Sequence, residues 1–238
     1  MKFFKKYFCR WNPDYCCVSI EKLLELLFLN AGSLNMIQVG ANDGVLCDPL
    51  HKHIKSKKLK GIMLEPQSKV FERLKLNHKE SKGLTFENVA LGAEEAKTVL
   101  YKVKEEFVNQ YKDLGGVASF DRNHVLQELR SNQNKLDLSS NGVIEDCIEE
   151  EKVDVTTYAS LINKHDLTTL DLLMIDAEGY DFEAVTLFPF ETLCPKSIVF
   201  EYKHLSKVQL QEIKVLLSKY GYTGFFSKND VLFIIESN

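Results

Sequence analysis

Met36-Ile37-Gln38-Val39-Gly40-Ala41-Asn42-Asp43-Gly44-Val45 is the stretch on which the fold turns. A short, mostly apolar run stops abruptly in a turn with two glycines. A few residues later, Asp48-Pro49 has the form of a helix N-cap followed by the first helical residue. Strand, glycine turn and helix are either the opening of a nucleotide-binding unit or only a tight connection, and spacing decides for which nucleotide the turn is suited. A dinucleotide loop needs G-x-G-x-x-G for a tight turn and close approach to a pyrophosphate. Counted from Gly40, its later glycines fall on Asn42 and Val45, so two of three are missing. The acid-x-G-x-G-x-G pattern fits better. It maps onto Gln38, Gly40, Asn42 and Gly44, and asparagine tolerates the left-handed backbone that the middle position often requires.

Working outward, short apolar runs alternate with helical stretches. Strands are expected at Met36–Val39, Gly61–Leu64, Leu84–Val89, Thr98–Val103, Leu170–Ile175, Ser197–Glu201, Tyr222–Phe226 and Val231–Ile235. Helices are expected at Ser19–Asn30, Pro49–Lys57, Ser68–Asn77, Thr157–Lys164, Phe182–Leu187 and Lys207–Tyr220. Such alternation implies βαβ units and a largely parallel sheet with helices on both faces. The last two strands are separated only by Ser227–Asp230, too short for a parallel crossover, so they form an antiparallel hairpin. From about Glu105 to Val153 the chain turns polar, with no sustained period. A long insertion of this kind is a lid, a binding loop or disordered. Its acidic run, Glu145-Asp146 and Glu149–Glu151, reads equally well as a solvated loop.

Bulk properties narrow the function. The chain has 238 residues, 45% hydrophobic and 27% charged, with net charge −4 and a pI of about 5.9. It can bury one substantial core, and no basic excess points to nucleic acid. Six scattered cysteines show no ligand-like spacing and read as reduced thiols in a cytosol. In MKFFKKYFCRW, Phe4, Tyr7, Phe8 and Trp11 share one helical face among basic residues. Residues 1–11 could make a weak peripheral contact with an anionic membrane, but a terminal helix docked on the body is the stronger expectation.

Carboxylates and amides recur at the strand tips. Glu65 closes Gly61–Leu64, about 20 residues beyond the glycine turn, where its oxygens can take both hydroxyls of a ribose. Asn88 and Ala90 follow a third strand and could border an adenine. Asp176 and Glu178 follow Leu172–Ile175 and should face the same crevice as the glycine turn, because ligands bind at the carboxyl ends of parallel strands. Asp181 reads as a helix N-cap. Glu178 and His204 are the candidates for a general base, with Glu201 nearby. His51 and His53 read as surface residues, and His124 and His165 have no partner visible in sequence. Asp176, Glu178, Glu201 and His204 could hold a hard cation, but no spacing demands one and the expected site has no metal.

MIQVGANDG, GIMLEPQSKVFERL, ENVALG, VDVTTYASLI and LLMIDAEGYDFEAV occur in this order. Together they resemble the FkbM-type S-adenosylmethionine-dependent methyltransferases, from about Met36 to Ile235. The resemblance implies a class I, Rossmann-like α/β fold with a mostly parallel seven-stranded sheet. It also implies O-methylation of a hydroxyl on a sugar, glycan or other small natural-product acceptor. Gly40, Asn42, Asp43, Gly44, Glu65, Asn88, Ala90 and Asp176 would line the S-adenosylmethionine site. Many members carry an acid where Gln38 stands; the amide can hydrogen-bond but loses charge attraction for an ammonium. The expected organisation is a helical extension at 1–35 and a methyltransferase domain at 36–238, with the polar insertion at 105–153. A non-catalytic binding domain with this fold, and an NAD(P)-dependent oxidoreductase, are the alternatives.

Overall fold

Alternation along the first strand sets the layers. Met36 faces one side of the sheet, with Met63, Leu172, Met174 and Val199; Ile37 and Val39 face the other, with Ile62, Leu173, Ile175 and Ile198. Successive strand side chains point to opposite faces, so two apolar faces demand two helical layers. The computed structural model describes residues 18–29, 31–56, 59–110, 114–132 and 144–235. The aromatic and basic stretch at 1–11 lies outside them.

In chain order the elements are α1 (Ile20–Phe28), β1 (Leu34–Val39), α2 (His51–Lys55), β2 (Leu59–Leu64), α3 (Ser68–Asn77), β3 (Leu84–Glu87), β4 (Ala90–Leu91) and β5 (Ala96–Val103). Then come α4 (Glu105–Gln110), β6 (Ala118–Ser119), α5 (Arg122–Ser131), β7 (Ile148–Thr156), α6 (Tyr158–Lys164) and β8 (Leu172–Ile175). α7 (Asp181–Thr186), β9 (Ser197–Glu201), α8 (Lys207–Lys219), β10 (Tyr222–Phe226) and β11 (Asp230–Ile235) complete the fold. The main sheet has seven strands in the order β10-β11-β9-β8-β1-β2-β3. β3 to β9 run parallel, and β11 is antiparallel to both β9 and β10. This is the expected class I methyltransferase architecture. α1, α2 and α3 cover the Met36 face; α6, α7 and α8 cover the Ile37 face.

The insertion departs from expectation. β4-β7-β5-β6 form a second sheet, so Thr98–Val103 does not join the main one. The acidic run Glu149–Glu151 is no solvated loop but lies in β7, antiparallel to β5. Lys102 supplies the missing counter-charge, its ammonium 2.6 Å from Glu151 and 3.2 Å from Glu149. A separate apolar cluster, Val103, Leu114, Val117, Val125, Leu129 and Cys147, docks α5 on this hairpin.

Three local expectations need correction. Asp48 accepts the amide of Leu50 at 2.8 Å, and α2 starts only at His51 with Leu50 as N-cap. Asp181 is the first residue of α7 rather than its cap, and is buried. His53 is buried edge-on against Phe28, and His51 is half-buried. Cys47, Cys147 and Cys194 are free thiols. Among the described residues no helix is long and apolar enough to cross a membrane.

Candidate functional site

The chain leaves β1 for β2 on one side and returns through β8 on the other, so a crevice opens between the tips of β1 and β8. Gly40 sits at its base with φ +73°. A Cβ there would lie 1.8 Å from the carbonyl oxygen of Asp176, so only glycine lets the two strand tips approach. Asn42 follows at φ +47°, the left-handed conformation that its position called for. Its amide donates to Oε2 of Glu65 at 2.9 Å, while the amide of Gln67 donates to Oε1 at 2.8 Å. These bonds fix the Glu65 carboxylate at the tip of β2. Burial nevertheless pushes its pKa up to about 7, against the opposing pull of the two amides.

A cleft lies above. Gly40, Asn42, Glu65, Ala90, Asp176 and Glu178 line it, together with apolar Leu64, Pro66, Val89 and Leu91. Gly116 and Ala118–Phe120 from the insertion close its far side, and Phe120 packs edge-on against Tyr180 at 5.4 Å. Four residues expected in the lining are not in it. Gln38 has the parity of Met36 and points into the α1–α3 layer, beside the buried carboxyl of Asp48. Asp43 turns back to accept the amides of Val45 and Leu46 at 2.9 and 2.8 Å. Gly44 presents its carbonyl to His51 and His78 at 2.9 and 2.8 Å. Asn88 donates to the carbonyls of Glu65 and Pro66 at 2.8 and 3.0 Å. Their side chains and backbone brace the loops that do line the cleft.

A second compartment adjoins the first across Asp176 and Glu178. Glu128, Glu201, Lys203, His204 and Asp230 complete its polar wall. Burial, then the Glu178 charge, holds the Asp176 carboxyl well above the usual range. Burial, then Glu201, raises Asp230 to about 7. The hydrogen bond that His204 donates to the Glu201 carboxylate raises the histidine's pKa. Glu178 has φ +46°, rare for a residue with a side chain, and such strain gathers at working sites.

Behind Glu178 the structure adds two residues that the sequence left unassigned. Nε2 of His124 lies 3.6 Å from Oε2 of Glu178, and Glu128 lies 3.7 Å from Nε2 of His204. Gly179 makes the approach possible: at φ +90°, a Cβ would meet His124 at 2.8 Å. The available signal was His-x-x-x-Glu, one helical turn, amid Val125, Leu126 and Leu129. His165 is also paired, with Glu87 at 2.8 Å, away from both compartments.

The loop after β1 offers no diphosphate cradle. Gly44 is turned toward two histidines, and no helix begins on the turn itself. The features present suit a phosphate-free nucleoside: a close-packed glycine, an anchored carboxylate for a ribose diol and apolar walls for a base.

Comparisons with known proteins agree in kind. No curated protein matches the chain. Among solved structures it is similar to the methyltransferase FkbM from Methylobacillus flagellatus KT, with 13% identity and TM-score 0.49, over 85% of this chain and 43% of that one. It is also similar to the METTL16 MTase domain, with 10% identity and TM-score 0.47, over 91% of this chain and 66% of that one. A third is an O-methyltransferase from Bacillus cereus in complex with SAH, with 13% identity and TM-score 0.44, over 92% and 82%. The chain thus spans less than half the length of the first of these proteins. The sequence pattern of the methyltransferase FkbM domain matches residues 38–223, which is most of the chain and every residue named in the two compartments except Asp230. With that match, the chain belongs to the FkbM methyltransferase domain family.

Proposed function

We propose that this protein is an S-adenosylmethionine-dependent O-methyltransferase acting on a hydroxyl of a sugar, glycan or other small natural product. One observation carries the reading. A cleft suited to a nucleoside and a polar, acidic chamber share a wall, and that wall is Asp176 and Glu178. S-adenosylmethionine, when bound, supplies an electrophilic methyl on a sulfonium.

This chain's residues would do the rest. Gly40 and Asn42 let backbone pass close to the cofactor, Glu65 takes the ribose hydroxyls, and Val89 and Ala90 border the base. The acceptor stands in the chamber with its hydroxyl at the shared wall. There its oxygen would be placed to take the methyl that the cofactor supplies, with the bonding pair left on the sulfur. The hydroxyl proton passes to the base side, where Glu178 and His204 stand. Glu128, Asp176, Glu178, Glu201 and Asp230 make the chamber unfavourable to carboxylate or phosphate acceptors, which supports a neutral hydroxyl. On this reading 36–238 is the catalytic domain, the 105–153 insertion forms part of both compartments, and 1–35 is an extension.

Thermal stabilisation by S-adenosylhomocysteine, set against NAD, tests the cofactor. A shift with S-adenosylhomocysteine alone is expected, and Glu65→Ala should reduce it by weakening binding. A shift with NAD alone would overturn the reading, and no shift with either would favour a non-catalytic binding domain. Transfer of labelled methyl to a panel of sugars and polyols then tests the acceptor.

A further inference from the structure

The chamber wall facing the cofactor cleft carries a set of atoms suited to something other than an organic acceptor. α5 places His124 and Glu128 one turn apart, on one face of the helix. The segment after β9 brings His204 to them. One nitrogen or oxygen from each of the three lies within 4.8 Å of the other two. The closer pairs are tighter still. Nε2 of His204 is 3.7 Å from Oε1 of Glu128 and 3.2 Å from Oε2 of Glu201. Nε2 of His124 is 3.6 Å from Oε2 of Glu178, and the two imidazoles meet edge to face at 4.9 Å.

These separations are informative. Direct hydrogen bonds hold N and O at about 2.7–3.2 Å, so among these pairs only His204–Glu201 is short enough for one. Ligands that share one tetrahedral metal at about 2.0–2.1 Å stand roughly 3.4 Å from each other. The 3.7 Å separation of His204 and Glu128 is close to that of a common ligand shell, and the third member, His124, lies within 4.8 Å of both. A second observation points the same way. Nε2 of His124 is buried and makes no hydrogen bond. A buried polar atom without a hydrogen bond is costly, and its nearest carboxylate, Glu178 of the chamber wall, stands 3.6 Å away.

We propose that His124, Glu128 and His204 form a binding site for a divalent transition metal in this chamber, with Glu178 and Glu201 beside it as neighbours of the ligands. Two imidazoles and a carboxylate favour zinc, manganese, iron or cobalt over magnesium and calcium, which prefer oxygen ligands throughout. Three protein ligands leave open positions. Resting on the methyltransferase reading, those positions define the acceptor more narrowly. It would present two adjacent oxygens, as in a vicinal diol, and the bound hydroxyl would lose its proton more readily. His204 then serves as a ligand, and Glu178 is left to accept the proton.

The test is a titration of the full, chelator-stripped chain with cobalt(II) chloride alone, followed by visible absorption. One cobalt per chain is expected, with d–d bands characteristic of nitrogen and oxygen ligands and displacement by zinc. His124→Ala and Glu128→Gln should each weaken binding at least tenfold. Glu128→Gln keeps the size of a partly exposed side chain, so it guards against a folding artefact, and S-adenosylhomocysteine stabilisation checks both variants. No cobalt band up to about 1 mM, a weak-binding limit, overturns the site. So does cobalt binding that neither variant changes. S-adenosylhomocysteine binding without cobalt sinks the metal site and leaves the proposed function standing. Cobalt binding without any response to S-adenosylhomocysteine supports the site and sinks the function.

Discussion

Glu65 shows how one residue can set the working pH of a binding site. Burial raises its pKa to about 7, although two backbone amides hold its oxygens. On the proposed function, ribose hydroxyls would donate to the charged carboxylate and lose that acceptor when it is protonated. The affinity for S-adenosylhomocysteine should therefore rise about tenfold between pH 6 and pH 8, as the fraction ionised grows. Glu65→Gln should flatten that profile. Calorimetric titration across this range checks both, and a wild-type profile that stays flat would remove Glu65 from the ribose. Gln38 carries the opposite lesson. Its place at the end of an apolar strand was plain in sequence, but its direction was not. Parity along β1 sends it into the helical layer with Met36, whereas Gly40 and Asn42 could be read because the turn itself constrains their backbone. His124 was illegible for another reason. Its neighbours, Glu178 and His204, come from the segments after β8 and β9, and no local pattern announces them.

At the scale of elements, the main sheet was legible because its strands are apolar on both faces and bounded by turns. The second sheet was not. β7 contains Glu149-Glu150-Glu151, which breaks any strand pattern until Lys102 is placed opposite it. That lysine is 49 to 47 positions away and invisible to a window along the chain. The hairpin also reaches outward: Glu151 accepts the amide of Ser68 at 2.9 Å, at the start of α3, where Gln67 makes no side-chain cap. β7 thus helps hold the helix that follows Glu65. Lys102→Met should destabilise the protein by about 1–3 kcal/mol, because it leaves two acids on one strand face without their cation. Urea denaturation at pH 7 measures the loss. Against the effect of burial, hydrogen bonds from Lys102 and Ser68 hold Glu151 below the usual carboxylate range, so the loss should shrink only in strong acid, and a loss independent of pH would rule out charge as its cause.

Across the whole molecule, acid burial gives stability an unusual direction with pH. Glu65, Asp181 and Asp230 are raised to about 7, and Asp176 is raised well above the ordinary value, all chiefly by burial. A raised native pKa means that the folded state holds its proton longer than the unfolded chain. The stability from each such group is complete below the unfolded pKa and is lost as pH climbs through the folded one. For Asp181, between 3.8 and about 7, the loss is on the order of 4 kcal/mol. Acids held low by ion pairs, such as Glu25 at about 2, act in the other sense, but in full solvent they contribute little. Asp181→Asn should therefore gain on the wild type steadily from pH 4 to pH 7.5 in thermal melts. A constant difference across that range would show that Asp181 does not titrate in it.

Gly116 to Phe120 close the cofactor cleft, and the same stretch of chain runs on through α5 to His124 and Glu128 at the acceptor chamber. On the proposed reading the two ligands would therefore be bounded by one continuous stretch of chain. Filling the cleft first would settle that stretch before the acceptor arrives, which imposes an order on turnover. Initial-rate kinetics should show a compulsory sequence in which the nucleoside enters first and leaves last. S-adenosylhomocysteine would then compete with S-adenosylmethionine but not with the acceptor, and symmetrical competition against both would break the link between roof and chamber.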